Sequence, residues 1–188
     1  MNNTIMKRIF FITAMVMFSA TAANAQKLYT KNGFISFFSS TKMEDIKADN
    51  NQVLCVLNTQ NGELQFSLLN KGFHFAKALM EEHFNENYIE SNKYPKSTFK
   101  GTVADIAKVN FSKDGTYPVS VTGDLIIHGV SKAVTAPGSI VVKDGKATAE
   151  AKFTIKLADY SISIPNMVKN NIAESVAVTV KCVLDQKL

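Results

Sequence analysis

The sequence predicts an all-β, antiparallel fold, either a closed barrel or a two-sheet sandwich, on three observations. Apolar and polar residues alternate along most of the chain, so each run can form a strand with one buried and one solvated face. Turn-forming residues punctuate these runs at the short spacing of consecutive hairpins. A single stretch changes period: Ala76, Leu79, Met80, His83 and Phe84 fall at i, i+3, i+4, i+7 and i+8, which predicts one short amphipathic helix inserted in a β-protein.

Residues 1–25 read as a secretory signal peptide. Lys7 and Arg8 precede an apolar run over residues 9–20, and Ala23, Asn24 and Ala25 supply small residues for cleavage. A membrane anchor is the competing reading, but a spanning helix needs about 20 apolar residues and this run is shorter. No cysteine follows the small residues, which argues against a lipoprotein. The remainder, residues 26–188, suits one domain. The chain has a formal net charge of +5. Its lysines alternate with apolar residues along strands instead of gathering on one face, so a solvated strand surface explains them better than nucleic-acid binding. Export also argues against a nucleic-acid partner, while a mildly basic exterior suits transient contact with a membrane surface.

Eight strands are expected, over residues 33–39, 52–58, 63–69, 97–111, 119–127, 134–142, 146–157 and 175–184. Asn61-Gly62, Lys113-Asp114-Gly115 and Asp144-Gly145 are hairpin signals, because Asn and Asp before Gly tolerate the positive φ of primed turns. The clearest strand is 146–157. Ala147, Ala149, Ala151, Phe153, Ile155 and Leu157 point one way, and Lys146, Thr148, Glu150, Lys152, Thr154 and Lys156 the other. Its inward residues change from small to large along its length. The helix over residues 76–84 is stopped before Tyr94-Pro95, since a residue preceding proline is driven towards extended geometry.

Cys55 and Cys182 both fall in expected strands, and neither has a redox or zinc spacing. Pairing in an oxidising compartment would close a loop worth about 4–5 kcal/mol in the chain-entropy model. Two buried thiols acting as small apolar residues are the plainer reading, because strand adjacency cannot be read from sequence.

Sequence patterns for chemistry are sparse. His74, His83 and His128 form no short-spaced metal pairing with one another or with Glu81, Glu82 and Glu86. His83, on the apolar helix face, is expected to be a partly buried core histidine, and His128 to stabilise a turn beside Gly129. There is no nucleophile elbow, no Gly-rich phosphate loop, and the adjacent pairs Glu44-Asp45 and Glu81-Glu82 diverge. No catalytic residue, metal or cofactor is therefore expected. Thirteen phenylalanines and five tyrosines, with no tryptophan, leave two uses for the interior: a solid core, or a tunnel for a long apolar tail.

Three stretches resemble the YceI-like family, exported lipocalin-like barrels associated with polyisoprenoid lipids. Tyr94-Pro95-Lys96-Ser97-Thr98-Phe99 is similar to its strand entry. Val121-Thr122-Gly123-Asp124-Leu125-Ile126-Ile127-His128-Gly129-Val130-Ser131-Lys132-Ala133-Val134 is similar to its second signature. Asp159-Tyr160-Ser161-Ile162 is similar to its third, with serine in place of glycine. The segment 79–88 departs from the helix of many members. The resemblance favours the barrel over the sandwich and implies an elongated, eight-stranded, lipocalin-like barrel with one short helix insert, periplasmic or secreted, holding an isoprenoid or related lipid. Its expected binding walls are Phe66, Leu68, Phe99, Val103, Val121, Leu125, Phe153, Ile155, Val178 and Val180, with Leu79 and Phe84 on a helix that covers one mouth. A homodimer stays open. So do two other classes of function, a periplasmic enzyme using His83 or His128 as acid or base, and a solid-core adhesion or assembly module.

Overall fold

The computed structural model describes residues 27–188; the expected signal peptide lies outside the described residues. Eight long strands follow in chain order with two short ones: β1 (Lys27–Ser40), β2 (Asp45–Asn58), β3 (Glu63–Leu69), the two-residue β4 (His74–Phe75), β5 (Lys96–Val103), β6 (Gly115–Ile127), β7 (Val130–Lys143), β8 (Lys146–Lys156), β9 (Ser175–Leu184) and the two-residue β10 (Gln186–Lys187). The long strands pair antiparallel in the circuit β1-β2-β3-β5-β6-β7-β8-β9, and β9 returns to β1. The sheet therefore closes into an eight-stranded barrel, which leaves no long edge unpaired.

The period of two explains why these segments close as they do. Along β6, every second residue from Gly115 to Ile127 is partly buried and the intervening ones are exposed. In β8 the outward Lys152, Thr154 and Lys156 are exposed. Asp144 and Gly145 both have positive φ, 50° and 74°, as the tight β7–β8 turn requires. His128 and Gly129, at 51° and 74°, make an equivalent turn between β6 and β7.

Several boundaries differ from the sequence reading: β1, β2, β6 and β7 begin at Lys27, Asp45, Gly115 and Val130, four to seven residues earlier than expected, and two further differences change the fold's description. The fourth long strand stops at Val103 instead of running to residue 111. Asp105, at φ 56°, turns the chain into a short 3₁₀ segment, Ile106–Lys108, which buries Ile106 against the barrel's lower core. The alternation after Val103 is thus a plug, with Ile106 and Val109 inward, and not strand pairing. The first helix, α1 (Ala78–His83), begins two residues later than expected and runs into a wide π turn, Phe84–Tyr88, so Ala76 precedes it.

The core divides by depth. Leu28, Leu57, Val103, Ile106, Ile140, Val142 and Leu184 close one end of the barrel. At the other end a smaller cluster of Ala48, Val53, Leu68 and Phe73 lies beneath α1, and Ile89, Tyr160 and Ile162 form a third under the loop that follows β8.

Candidate ligand-binding cavity

Between these clusters the barrel encloses a cavity of about 520 Å³. Its existence follows from side-chain size. On β7 and β8 the inward positions Ala136, Gly138, Ala149 and Ala151 carry little or no side chain, and Ala151 is in register with Gly138 on one side and Val180 on the other. The wall is thin where the barrel is at its middle depth. Gly101 and Gly123, directly opposed on β5 and β6, make a second pair without side chains in the adjoining wall. A Cβ on either would collide with the partner strand, and the Phe99 ring lies over the pair. Phe66 meets Phe99 edge-on with ring centroids 6.1 Å apart.

All twelve sequence-derived wall residues border this cavity: Phe66, Leu68, Leu79, Phe84, Phe99, Val103, Val121, Leu125, Phe153, Ile155, Val178 and Val180. They differ in position. Val103, Val178 and Val180 are buried at the wall, whereas Leu79 is 60% exposed and stands at the rim. Phe37, Phe73 and Phe75 also border it, though the sequence reading did not select them. With Phe84 they form a four-ring cluster with centroids 5.2–5.7 Å apart. This cluster seats the turn after α1 on the barrel and forms the inner surface of the mouth. Phe73 and Phe75, two residues apart and so on one side of an extended segment, were the available signal.

His83 is exposed and borders the mouth, so it is not the partly buried core histidine the apolar spacing suggested. The helical face turns out to be shared. Phe84 points into the aromatic cluster, while Leu79 and His83 stay at the surface because α1 is only six residues long and buries none of its residues.

Several polar groups around the cavity are already engaged. Glu44, in the β1–β2 loop, accepts a hydrogen bond from Lys77 Nζ at 3.0 Å and one from Asn171 Nδ2 at 3.2 Å, and these bonds hold its carboxyl below the usual carboxylate range. One side chain thereby ties together three segments that rim the mouth. Ser39 Oγ adds a second tie, accepting the Ala173 amide at 2.9 Å. Asn70, fully buried, donates to the Tyr94 carbonyl at 2.6 Å and accepts from Ser97 Oγ at 2.7 Å. Burial pushes the Tyr88 phenol up, so it stays neutral. Among the described residues the only buried side-chain oxygen without a partner is Asp49 Oδ1, which is not in the cavity wall.

The remaining titratable residues do not assemble. No group of three or more His, Cys, Asp or Glu side chains among the described residues could hold a metal ion. His74 faces Glu81 at 3.5 Å on the surface, while His128 is bound between Glu90 and the Tyr160 carbonyl.

A model of the YceI-like domain matches residues 14–184. The chain belongs to the YceI-like family. Solved structures share its fold at low identity. A polyisoprenoid binding domain from Saccharophagus degradans, implicated in plant cell wall breakdown, is 19% identical, with a TM-score of 0.71 over 85% of this chain and 97% of that one. BcnA from Burkholderia cenocepacia is 17% identical, with a TM-score of 0.67 over 80% of this chain and 95% of that one. No curated protein matches the chain. In this YceI-like barrel the cavity, the thin alanine-glycine wall and the aromatic mouth are built by the chain's own residues, and its short helix sits where the open end needs a cover.

Proposed function

We propose that this YceI-like protein is an exported, non-enzymatic carrier that holds one long apolar lipid, a polyisoprenoid or close analogue, in the barrel. The observation that carries this reading is the chemistry of the cavity wall: it is built mainly from Phe, Leu, Ile, Val and Ala side chains, and Glu44, Asn70, Lys77 and Ser97 beside it already have partners. Such a wall favours hydrocarbon, since burying apolar chain gains about 0.8 kcal/mol per CH₂ while burying an unpaired polar group costs more than it returns. The polar head of a ligand would stay at the mouth, near Lys77 and His83. The family membership and the polyisoprenoid binding domain of like fold support the same class of ligand.

The enzyme reading finds less support, because His83 has no acid or base partner and both ring nitrogens of His128 are occupied by structural bonds. A solid-core module does not suit an open cavity of this size. Export rests on the order of basic, apolar and small residues in 1–25, with residues 26–188 as the mature barrel. Transient membrane contact is supported by Met43, Leu79 and Met167, exposed apolar side chains on the three segments that Glu44 draws together at the mouth. A homodimer has no comparable support. Mass spectrometry of organic extracts from the purified protein tests the reading: a stoichiometric isoprenoid or similar lipid is expected, and protein free of lipid that gains no stability from added polyprenol or quinone would defeat it.

A further inference from the structure

Cys55 on β2 and Cys182 on β9 sit on strands that flank β1, both fully buried in the closed end of the barrel. They do not border the cavity. Between them β1 is irregular: its register with β2 shifts on both sides of Gly33. Gly33 is the residue that lets the flanking strands reach each other, since a Cβ there would lie 2.5 Å from Cys182 Sγ and 3.0 Å from the Val53 carbonyl oxygen. The two cysteines are free thiols in the structure, and a larger residue at position 33 would displace the Cys182 sulfur. The sequence alone left pairing open because it does not show which strands are neighbours, and barrel closure through β1 supplies that adjacency.

We propose that Cys55 and Cys182 are a disulfide site, closed while the barrel folds, that staples β2 to β9 across the β1 seam. The oxidant is a low-molecular-weight or protein disulfide. One cysteine thiolate attacks it, forming a mixed disulfide and releasing one thiol; the second thiolate then attacks the protein sulfur of that mixed disulfide and releases the other thiol. Two protein thiols lose two hydrogens and the oxidant gains them. Timing follows from access. Neither sulfur is exposed in the folded barrel, and the adjacent Cys182 thiol, with burial, pushes the Cys55 thiol well above its ordinary range. A buried, protonated thiol is a poor nucleophile, so exchange belongs to the folding chain and not to the finished barrel. The seam's redox state is thus set once, at folding, and is independent of whether the cavity carries lipid.

The test uses full-length protein, unfolded and reduced, then refolded either in reduced buffer or with oxidised and reduced glutathione. Refolding with glutathione disulfide should give a species lighter by two hydrogens, a proteolytic peptide joining Cys55 to Cys182, and a higher melting temperature than the reduced form. Folded, reduced protein in the same glutathione buffer should oxidise at least about ten-fold more slowly than the refolding chain. A cooperatively melting product from the glutathione refold in which both thiols still react with maleimide after denaturation would overturn the proposal. So would glutathione adducts on the separate cysteines, and rapid oxidation of the native barrel would overturn its coupling to folding. Cys55→Ser, refolded in parallel, should show no melting shift between the two buffers, and an equal shift in that variant would also count against the staple.

Discussion

His128 Nε2 lies 2.7 Å from Glu90 Oε2, and both residues hold left-handed backbone, at φ 51° and 47°. The bond joins the tight β6–β7 turn to the end of the segment 78–90, α1 and its π turn, which forms the lid over the mouth. The same ring reaches the Tyr160 carbonyl through Nδ1 at 3.0 Å, and the Tyr94 ring packs against it edge-on at 4.7 Å. One side chain, 11% exposed, therefore fixes three separate stretches around the mouth, and two strained residues persist because the surroundings over-determine them. Both ring nitrogens face oxygen atoms, so neither is free to serve another partner.

Replacing His128 with alanine should leave the barrel folded and loosen its lid. The Tyr160 carbonyl loses its partner, and a buried acceptor left unsatisfied costs about 1–3 kcal/mol. Thermal denaturation should show that loss, and hydrogen exchange should quicken first in residues 84–95 and 157–162. Exchange that quickens evenly round the barrel would argue against a local clasp.

The same contact gives an acid-side dependence. The His128 hydrogen bond, the largest influence, and then Lys93 hold the Glu90 carboxyl below its ordinary value of 4.5. For a depressed carboxyl the stabilisation is present above the unfolded value and is lost as pH falls through the folded value, so the window lies below about 4.5. Wild type should lose stability more steeply than Glu90→Gln as pH drops from 5 towards about 3, measured by thermal melts at each pH. Parallel pH profiles would remove Glu90 from the account.

Much of this was legible in the sequence, and the exceptions share a cause. Strand alternation marked the walls well enough that Phe153, Ile155, Val178 and Val180 all face the cavity, because a period of two assigns sides without knowledge of neighbours. What alternation could not report was pairing. The run after Val103 alternates like a strand yet folds as a plug, since Asp105 takes the left-handed conformation and ends the ladder. The turn at His128-Gly129 was legible, but the partners of its ring, Glu90 and the Tyr160 carbonyl, lie 38 and 32 residues away in sequence and were not. His83 was misplaced because helical spacing assumes a full apolar stripe, and a six-residue helix over an open mouth buries only part of one.

Glu44 offers the most direct control of access. Its two hydrogen bonds bridge the β1–β2 loop to the start of α1 and to the loop before β9. Glu44→Ala should raise the rate of lipid release several-fold while changing the melting temperature little, since exposed pairs of this kind contribute little to global stability. Transfer of a fluorescent polyprenol analogue to acceptor vesicles reads the rate. Unchanged release, with unchanged exchange at residues 77–88, would show that the mouth opens elsewhere.

Gly101 tests how the thin wall makes room. Gly101→Ala would place a methyl group against the β6 backbone and the Phe99 ring, which sit too close for it now. Overpacking of this kind costs about 1–3 kcal/mol. The ring should swing into the cavity, so lipid capacity should fall together with stability. Thermal melts and lipid stoichiometry measured on the same preparation separate this from simple misfolding, for which both signals would vanish.

Phe153 distinguishes a tunnel from a filled core. It lies on β8 where the inward residues change from Ala149 and Ala151 to Ile155, in register with Val178, and its ring borders the open volume. In a filled core Phe153→Ala would cost about 3–5 kcal/mol, through lost burial and the void left behind. Here one side of the ring already lacks protein neighbours, so the delipidated variant should lose less than that. The enlarged space should admit longer or bulkier tails, and bound lipid should recover part of the loss by stabilising the folded state. The measurement compares melting of wild type and variant, each before and after delipidation, with the chain lengths that co-purify. A full core penalty, no recovery on adding lipid and an unchanged lipid profile would mean that no tail passes Phe153.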